Sequence, residues 1–201
     1  MSESKLARRL TAMDASFLYF EKKEAPLHMG SVHIFAGEIL FREFTQNLEA
    51  KLHLLPRYRQ VVRPDPYRIN HPGWEFDPHF DIERHLFHLH LDAPGTDAEL
   101  FKLAGRLLTP LMDRSKPLWE VWIVDGLTGN RSALIGKVHH CMVDGVSGVE
   151  LLKVMLEASP RTRPAPSPPS PPCPPAAPRT RSSTRYSTAL RSARIAGWNF
   201  S

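Results

Sequence analysis

Cysteine is scarce in this chain of 201 residues. Only Cys141 and Cys173 occur, the first beside two histidines and the second inside a proline run. Thiols so placed do not form a disulfide framework, and the expected setting is a reducing cytoplasm. Long apolar runs are missing too. No stretch reaches the ~18 residues of a membrane-spanning helix, so any contact with lipid is expected to be peripheral. The opening MSESKLARRLTAMDASFLYF has basic residues but no continuous apolar segment, which argues against a secretory signal. Acidic side chains are absent after Glu157. Up to that residue there are 19 basic and 21 acidic side chains; beyond it there are 7 arginines and no acid. The net charge of +5 therefore belongs to the tail. The remainder is nearly neutral and offers no footprint for nucleic acid.

Composition also divides the chain. Of 19 prolines, 10 fall between Pro160 and Pro178. Such a run has few N–H donors and little apolar surface, so it predicts an extended segment that builds no core. Residues 1–158 are expected to form one α/β domain. Residues 159–201 are expected to be a disordered linker, or an out-of-frame end in which Pro, Arg, Ala and Ser dominate.

Within 1–158 several elements are legible. Phe41, Phe44, Leu48, Leu52 and Leu55 lie on one helical face, which predicts a helix over 41–55 closed by Pro56. Thr96-x-x-Glu99 is a capping box, and Leu100, Leu103, Leu107 and Leu111 continue it as a stripe; the predicted helix runs over 96–112, with Pro110 ending or kinking it. LWEVWIVDG (118–126) and SALIGKVHH (132–140) read as strands joined by a hairpin turn containing Gly129-Asn130. Shorter strands are expected at 29–36 and 86–91, and a helix at 145–157 with Asp144 as its N-cap. Together they predict a mixed sheet with flanking helices. Trp74, Trp119 and Trp122 are expected in the core, and the arginines of LPRYRQ in solvent.

The chemistry concentrates in His139-His140-Cys141-Met142-Val143-Asp144-Gly145, where a predicted strand gives way to a predicted helix. Side chains at such a point face the crevice beyond a sheet edge. Imidazole is the side chain suited to take and return a proton near neutral pH. Asp144, four residues on, can orient an imidazole or fix an arginine, or simply cap the helix. Gly145 permits close backbone approach. A metal site would need a third ligand that the spacing does not supply, so no bound metal is expected.

The HHxxxDG pattern resembles that of coenzyme A-dependent acyltransferases with the chloramphenicol acetyltransferase-like fold, a superfamily that also holds the condensation domains of peptide synthetases. DASFLYFE (14–21), PLHMG (26–30), LPRYRQ (55–60), HPGWEFDPHFDIERHL (71–86) and PLMDRSKPLWEVWIVDGL (110–127) resemble the bacterial wax ester synthase/diacylglycerol acyltransferase family, in family order. The resemblance implies a half-unit of that fold and acyl transfer from acyl-CoA, as cosubstrate, to a long-chain alcohol or diacylglycerol. It implies His140 as the general base, His139 as its support, Asp144 and Gly145 as the shape of the loop, and no nucleophilic role for Cys141. The family carries a second, similar half, which implies either a partner half or self-association. An orphan half acting only as a lipid- or partner-binding fragment is the alternative expectation.

Overall fold

The computed structural model describes residues 9–67 and 69–143. The predicted helix 145–157, the loop residues Asp144 and Gly145, and the tail 159–201 lie outside the described residues.

Six strands and three helices make up the described chain. Helix α1 spans Ala12–Phe20, α2 Phe41–Lys51 and α3 Asp97–Leu108. Strands β1 (His28–Ala36), β4 (Leu86–His90), β5 (Trp119–Leu127) and β6 (Arg131–His139) form one sheet in the order β1-β6-β5-β4. Its β1–β6 and β6–β5 pairs are antiparallel, and β4–β5 is parallel across α3. The sheet is thus mixed, as expected. Strands β2 (Gln60–Arg63) and β3 (Gly73–Phe76) form a separate antiparallel pair.

Alternation along the strands sorts two cores onto two faces. Trp119 and Val121 of β5 and Leu134 of β6 join residues of α1, α2 and the β2–β3 region, among them Leu18, Leu48, Tyr58 and Trp74. Trp122, Val124, Ala133 and Ile135 point the other way and pack under Leu100, Leu103 and Ala104 of α3. Each large side chain so buried stabilises the fold by about 1.5–3 kcal/mol. All three tryptophans expected in the core are buried.

Local chemistry sets the element ends. The Thr96–Glu99 capping box forms in both directions, and α3 stops at Leu108 with Thr109 as its C-cap, because Pro110 has no N–H to carry the next helical bond. The helix expected over 41–55 is α only to Lys51; a 3-10 turn continues over Leu52–Leu54, and Pro56 opens the next one. The arginines of LPRYRQ are not simply solvated: the Arg57 guanidinium lies 4.2 Å over the Trp74 ring and that of Arg59 5.6 Å over Phe80. Strand β6 ends at His139, one residue earlier than read, so His140 belongs to a turn.

Candidate active site

Strand β6 delivers the histidine pair, and the turn after it separates their environments. His139 closes the strand, where its N–H donates to the Leu118 carbonyl at 3.0 Å. A 3-10 turn then runs over His140–Met142. It is pinned at its start by the His139 ring, whose Nδ1 accepts the Cys141 N–H at 3.1 Å. The His140 N–H donates to the Leu27 carbonyl at 3.0 Å, and its own carbonyl accepts from Val143 at 3.1 Å. His139 is fully buried and His140 half-buried. The His140 ring stacks on Phe17 of α1, with centroids 4.7 Å apart and planes 17° apart.

His139 faces a buried carboxylate. Its Nε2 lies 3.3 Å from Glu21 Oε1, off the N–H axis, so the contact is electrostatic rather than a well-formed hydrogen bond. Because Nδ1 already accepts the Cys141 N–H, the proton of neutral His139 resides on Nε2, toward Glu21. Burial pushes the His139 pKa down to about 4, against the pull of Glu21. At neutral pH it is an uncharged, oriented ring.

Glu21, one residue past α1, has a side chain only 1 % exposed. Its Oε1 accepts the Leu27 N–H at 3.0 Å, and its Oε2 accepts from Arg114 Nη2 at 2.9 Å. Arg114 also donates to the Leu18 carbonyl, at 3.0 Å. Burial alone would raise the Glu21 pKa; the Arg114 guanidinium, the Leu27 N–H and His139 outweigh it and hold the carboxyl below its ordinary value.

The same sheet face continues as a polar row beneath the end of α3. Lys137 is buried, and its Nζ donates to the carbonyls of Leu107 and Pro110 at 3.1 and 2.6 Å. The His28 ring, opposite His139 in the ladder, meets the Leu108 carbonyl. These cations and donors occupy carbonyls that a helix C-terminus leaves free. Gly30, paired with Lys137, lets α3 settle this low: a Cβ there would come within 2.5 Å of Leu108.

Of the residues singled out from sequence, His139 and His140 stand together as expected, while Asp144 and Gly145 fall outside the described residues. Cys141 is buried, and burial first, then the charge of Asp14, pushes its thiol up to about 12. A thiol in that state is not a nucleophile at neutral pH. Sequence reasoning did not single out Glu21, Arg114 or Phe17. The available signal was their position inside the blocks 14–21 and 110–127. A cavity of about 250 Å³ lined by His90, Asp92, Lys102 and Arg106 lies at the other end of the sheet. The length of β5 separates it from the histidines, about 25 Å of strand, so it is no part of this site.

Comparison with known proteins first defines the class. The first condensation domain of the calcium-dependent antibiotic synthetase superposes with a TM-score of 0.63 at 16% identity, over 76% of this chain and 37% of that one. That likeness establishes the fold shared by condensation domains and chloramphenicol acetyltransferase-like enzymes. The wax ester synthase/diacylglycerol acyltransferase of Marinobacter aquaeolei VT8 matches at 33% identity with a TM-score of 0.57, over 71% of this chain and 36% of that one. The family model for the wax ester synthase/diacylglycerol acyltransferase catalytic domain matches residues 10–197, and the chain belongs to that family. Among its relatives are two proteins of Mycobacterium tuberculosis named as probable diacylglycerol O-acyltransferases. For tgs1 the identity is 35%, over 75% of this chain and 33% of that protein. For tgs3 it is 35%, over 81% of this chain and 60% of that protein. The chain spans about a third of the length of tgs1.

Proposed function

We propose that this chain is the histidine-bearing part of an enzyme that moves a fatty acyl group from acyl-CoA to the hydroxyl of diacylglycerol or a long-chain alcohol. The observation that carries the reading is the division of labour in the pair: His139 is buried and neutral, and His140 is half-buried beside it. His140 removes the hydroxyl proton as the oxygen attacks the thioester carbonyl. The tetrahedral intermediate collapses, the C–S bond breaks, and His140 returns the proton to the departing thiolate, leaving ester and free coenzyme A. A positioned base of this kind contributes ~10²–10⁴-fold. His139 supports the turn, and Asp144 with Gly145 gives the following loop its shape. No covalent intermediate on Cys141 is needed. Acyl-CoA is a cosubstrate, not a resident cofactor. Among the described residues no helix is long and apolar enough to cross a membrane. In this reading the chain works in the cytoplasm, in peripheral contact with membrane or lipid inclusions.

The test is thioester release from palmitoyl-CoA with hexadecanol or dioleoylglycerol, with and without the C-terminal half of a relative. Ester should form in at least one arm, and His140→Ala should lower turnover by ~10²-fold or more with the fold intact. Wild-type turnover in His140→Ala would refute the general base.

A second reading is favoured by one observation. Helix α1 exposes Met13 (70%) and Phe20 (72%), apolar side chains suited to a lipid surface or a partner half. If no arm forms ester and the chain only binds lipid or the added half, that reading replaces the first.

A further inference from the structure

We infer that Glu21 is the positioning residue of the histidine pair, acting on both imidazoles at once, with Arg114 holding it in place. One carboxylate reaches His139 directly and His140 through a single residue. Oε1 lies 3.3 Å from His139 Nε2 and accepts the Leu27 N–H at 3.0 Å. The carbonyl of the same Leu27 accepts the His140 N–H at 3.0 Å. Leu27 is therefore clamped on both sides, and its clamp is the carboxylate that also faces His139. The ring of His139 closes the circuit by accepting the Cys141 N–H inside the turn that carries His140.

The chemistry at Glu21 calls for a group that only accepts. Two hydrogen bonds reach it, from the Leu27 N–H and the Arg114 guanidinium, and the His139 Nε2–H faces it at 3.3 Å without a well-formed bond. An ionised carboxylate suits all three. A glutamine of the same shape must turn its NH2 toward the guanidinium or toward the two N–H groups, and with the side chain buried no water can mediate the conflict. An aspartate falls one methylene short. The donor on Nδ1 puts the His139 proton on Nε2, and the negative charge of Glu21 beside Nε2 favours the same tautomer. The second anchor of Arg114, on the Leu18 carbonyl, fixes the guanidinium to the end of α1, the helix whose Phe17 stacks on His140. The Phe17 stack and the Leu27 bond, which orient His140, thus both return to α1 and the segment just after it.

The inference rests on the proposed role of His140 only in its activity arm. Two-bond nitrogen–hydrogen correlation spectra of this chain test the positioning even if no ester is made. In the wild type, His139 should show the single Nε2–H tautomer and stay neutral from about pH 8 to about pH 5, and His140 should carry the ring-current shift of Phe17. Glu21→Gln should mix the His139 tautomers and move the His140 signals away from that stacked position. In the active form it should lower kcat about 10–100-fold, with KM for acyl-CoA within about twofold, as loss of a support behind a working ligand does. A purely structural role would leave the tautomer alone. If Glu21→Gln does not fold, Arg114→Met serves, with a smaller displacement of the same signals expected. An Nδ1–H tautomer in the wild type, or a folded variant with unchanged His139 and His140 signals, overturns the inference.

Discussion

His85 offers a direct measure of what the buried rings cost in acid. It is 1 % exposed, sandwiched between Phe80 (5.3 Å, 15°) and Trp119 (4.5 Å, 13°). Its Nδ1–H donates to the Trp119 carbonyl at 2.8 Å. Burial lowers its pKa from 6.5 to about 4, a difference worth about 3 kcal/mol. Between those two values the unfolded chain binds a proton that the native state refuses, so stability is full above pH 6.5 and drains as the pH falls toward 4. His139, lowered to about 4 for the same first reason, drains over the same window. Together the two rings should remove about 6 kcal/mol, a large share of the stability of an ordinary domain. His85→Phe keeps the stack and removes the titration. At neutral pH it should be less stable by about 1–2 kcal/mol, because the Trp119 carbonyl loses its donor. On acidification it should lose only about half as much as the wild type, so the two curves cross within the window and the variant is the more stable by about 1–2 kcal/mol at its lower end. Urea unfolding followed by tryptophan fluorescence at a series of fixed pH values measures both. A His85→Phe variant with the full acid loss of the wild type would refute the account.

Lys137→Met should cost about 2–4 kcal/mol in urea unfolding, since the carbonyls of Leu107 and Pro110 lose a buried charged donor; a change below about 0.5 kcal/mol would mean that the end of α3 finds other partners. Thr96→Ala removes the capping box and should cost about 1 kcal/mol by the same method. Cys141, buried with its thiol pushed up to about 12, should resist alkylation at neutral pH until the chain unfolds; mass spectrometry of the peptide containing it would detect early labelling.

How far the sequence could be read follows from how local each cause is. The capping box, the β-branched run of 119–127 and the Gly129-Asn130 turn act within a few residues, and those elements stand within a residue or two of their predicted bounds, although α3 stops at Leu108. Helix α1 escaped because Met13, Phe17, Leu18, Tyr19 and Phe20 surround it with apolar side chains and leave no polar stripe to give a period. Strands β2 and β3 are four residues each, too short for alternation to stand out. The histidine pair is legible because its residues are adjacent. Glu21 reaches His139 from a remote position, with Arg114 behind it, and nothing local to either marks them. Their convergence appears only once β1 lies against β6.

That ladder also sets an order of events during synthesis. His28 pairs with His139, so β1 leaves the ribosome more than a hundred residues ahead of its neighbour. At ~5–20 residues per second the wait is on the order of 5–20 s. Through that interval the strand lacks the one ladder partner it has among the described residues, and Glu21 lacks the imidazole of His139. The parallel pair β4–β5 and the β5–β6 hairpin close over shorter separations and can form without it. The turn that holds His140 is therefore completed last, by the part of the protein made first, and newly made β1 is the segment that a cell must keep from pairing elsewhere.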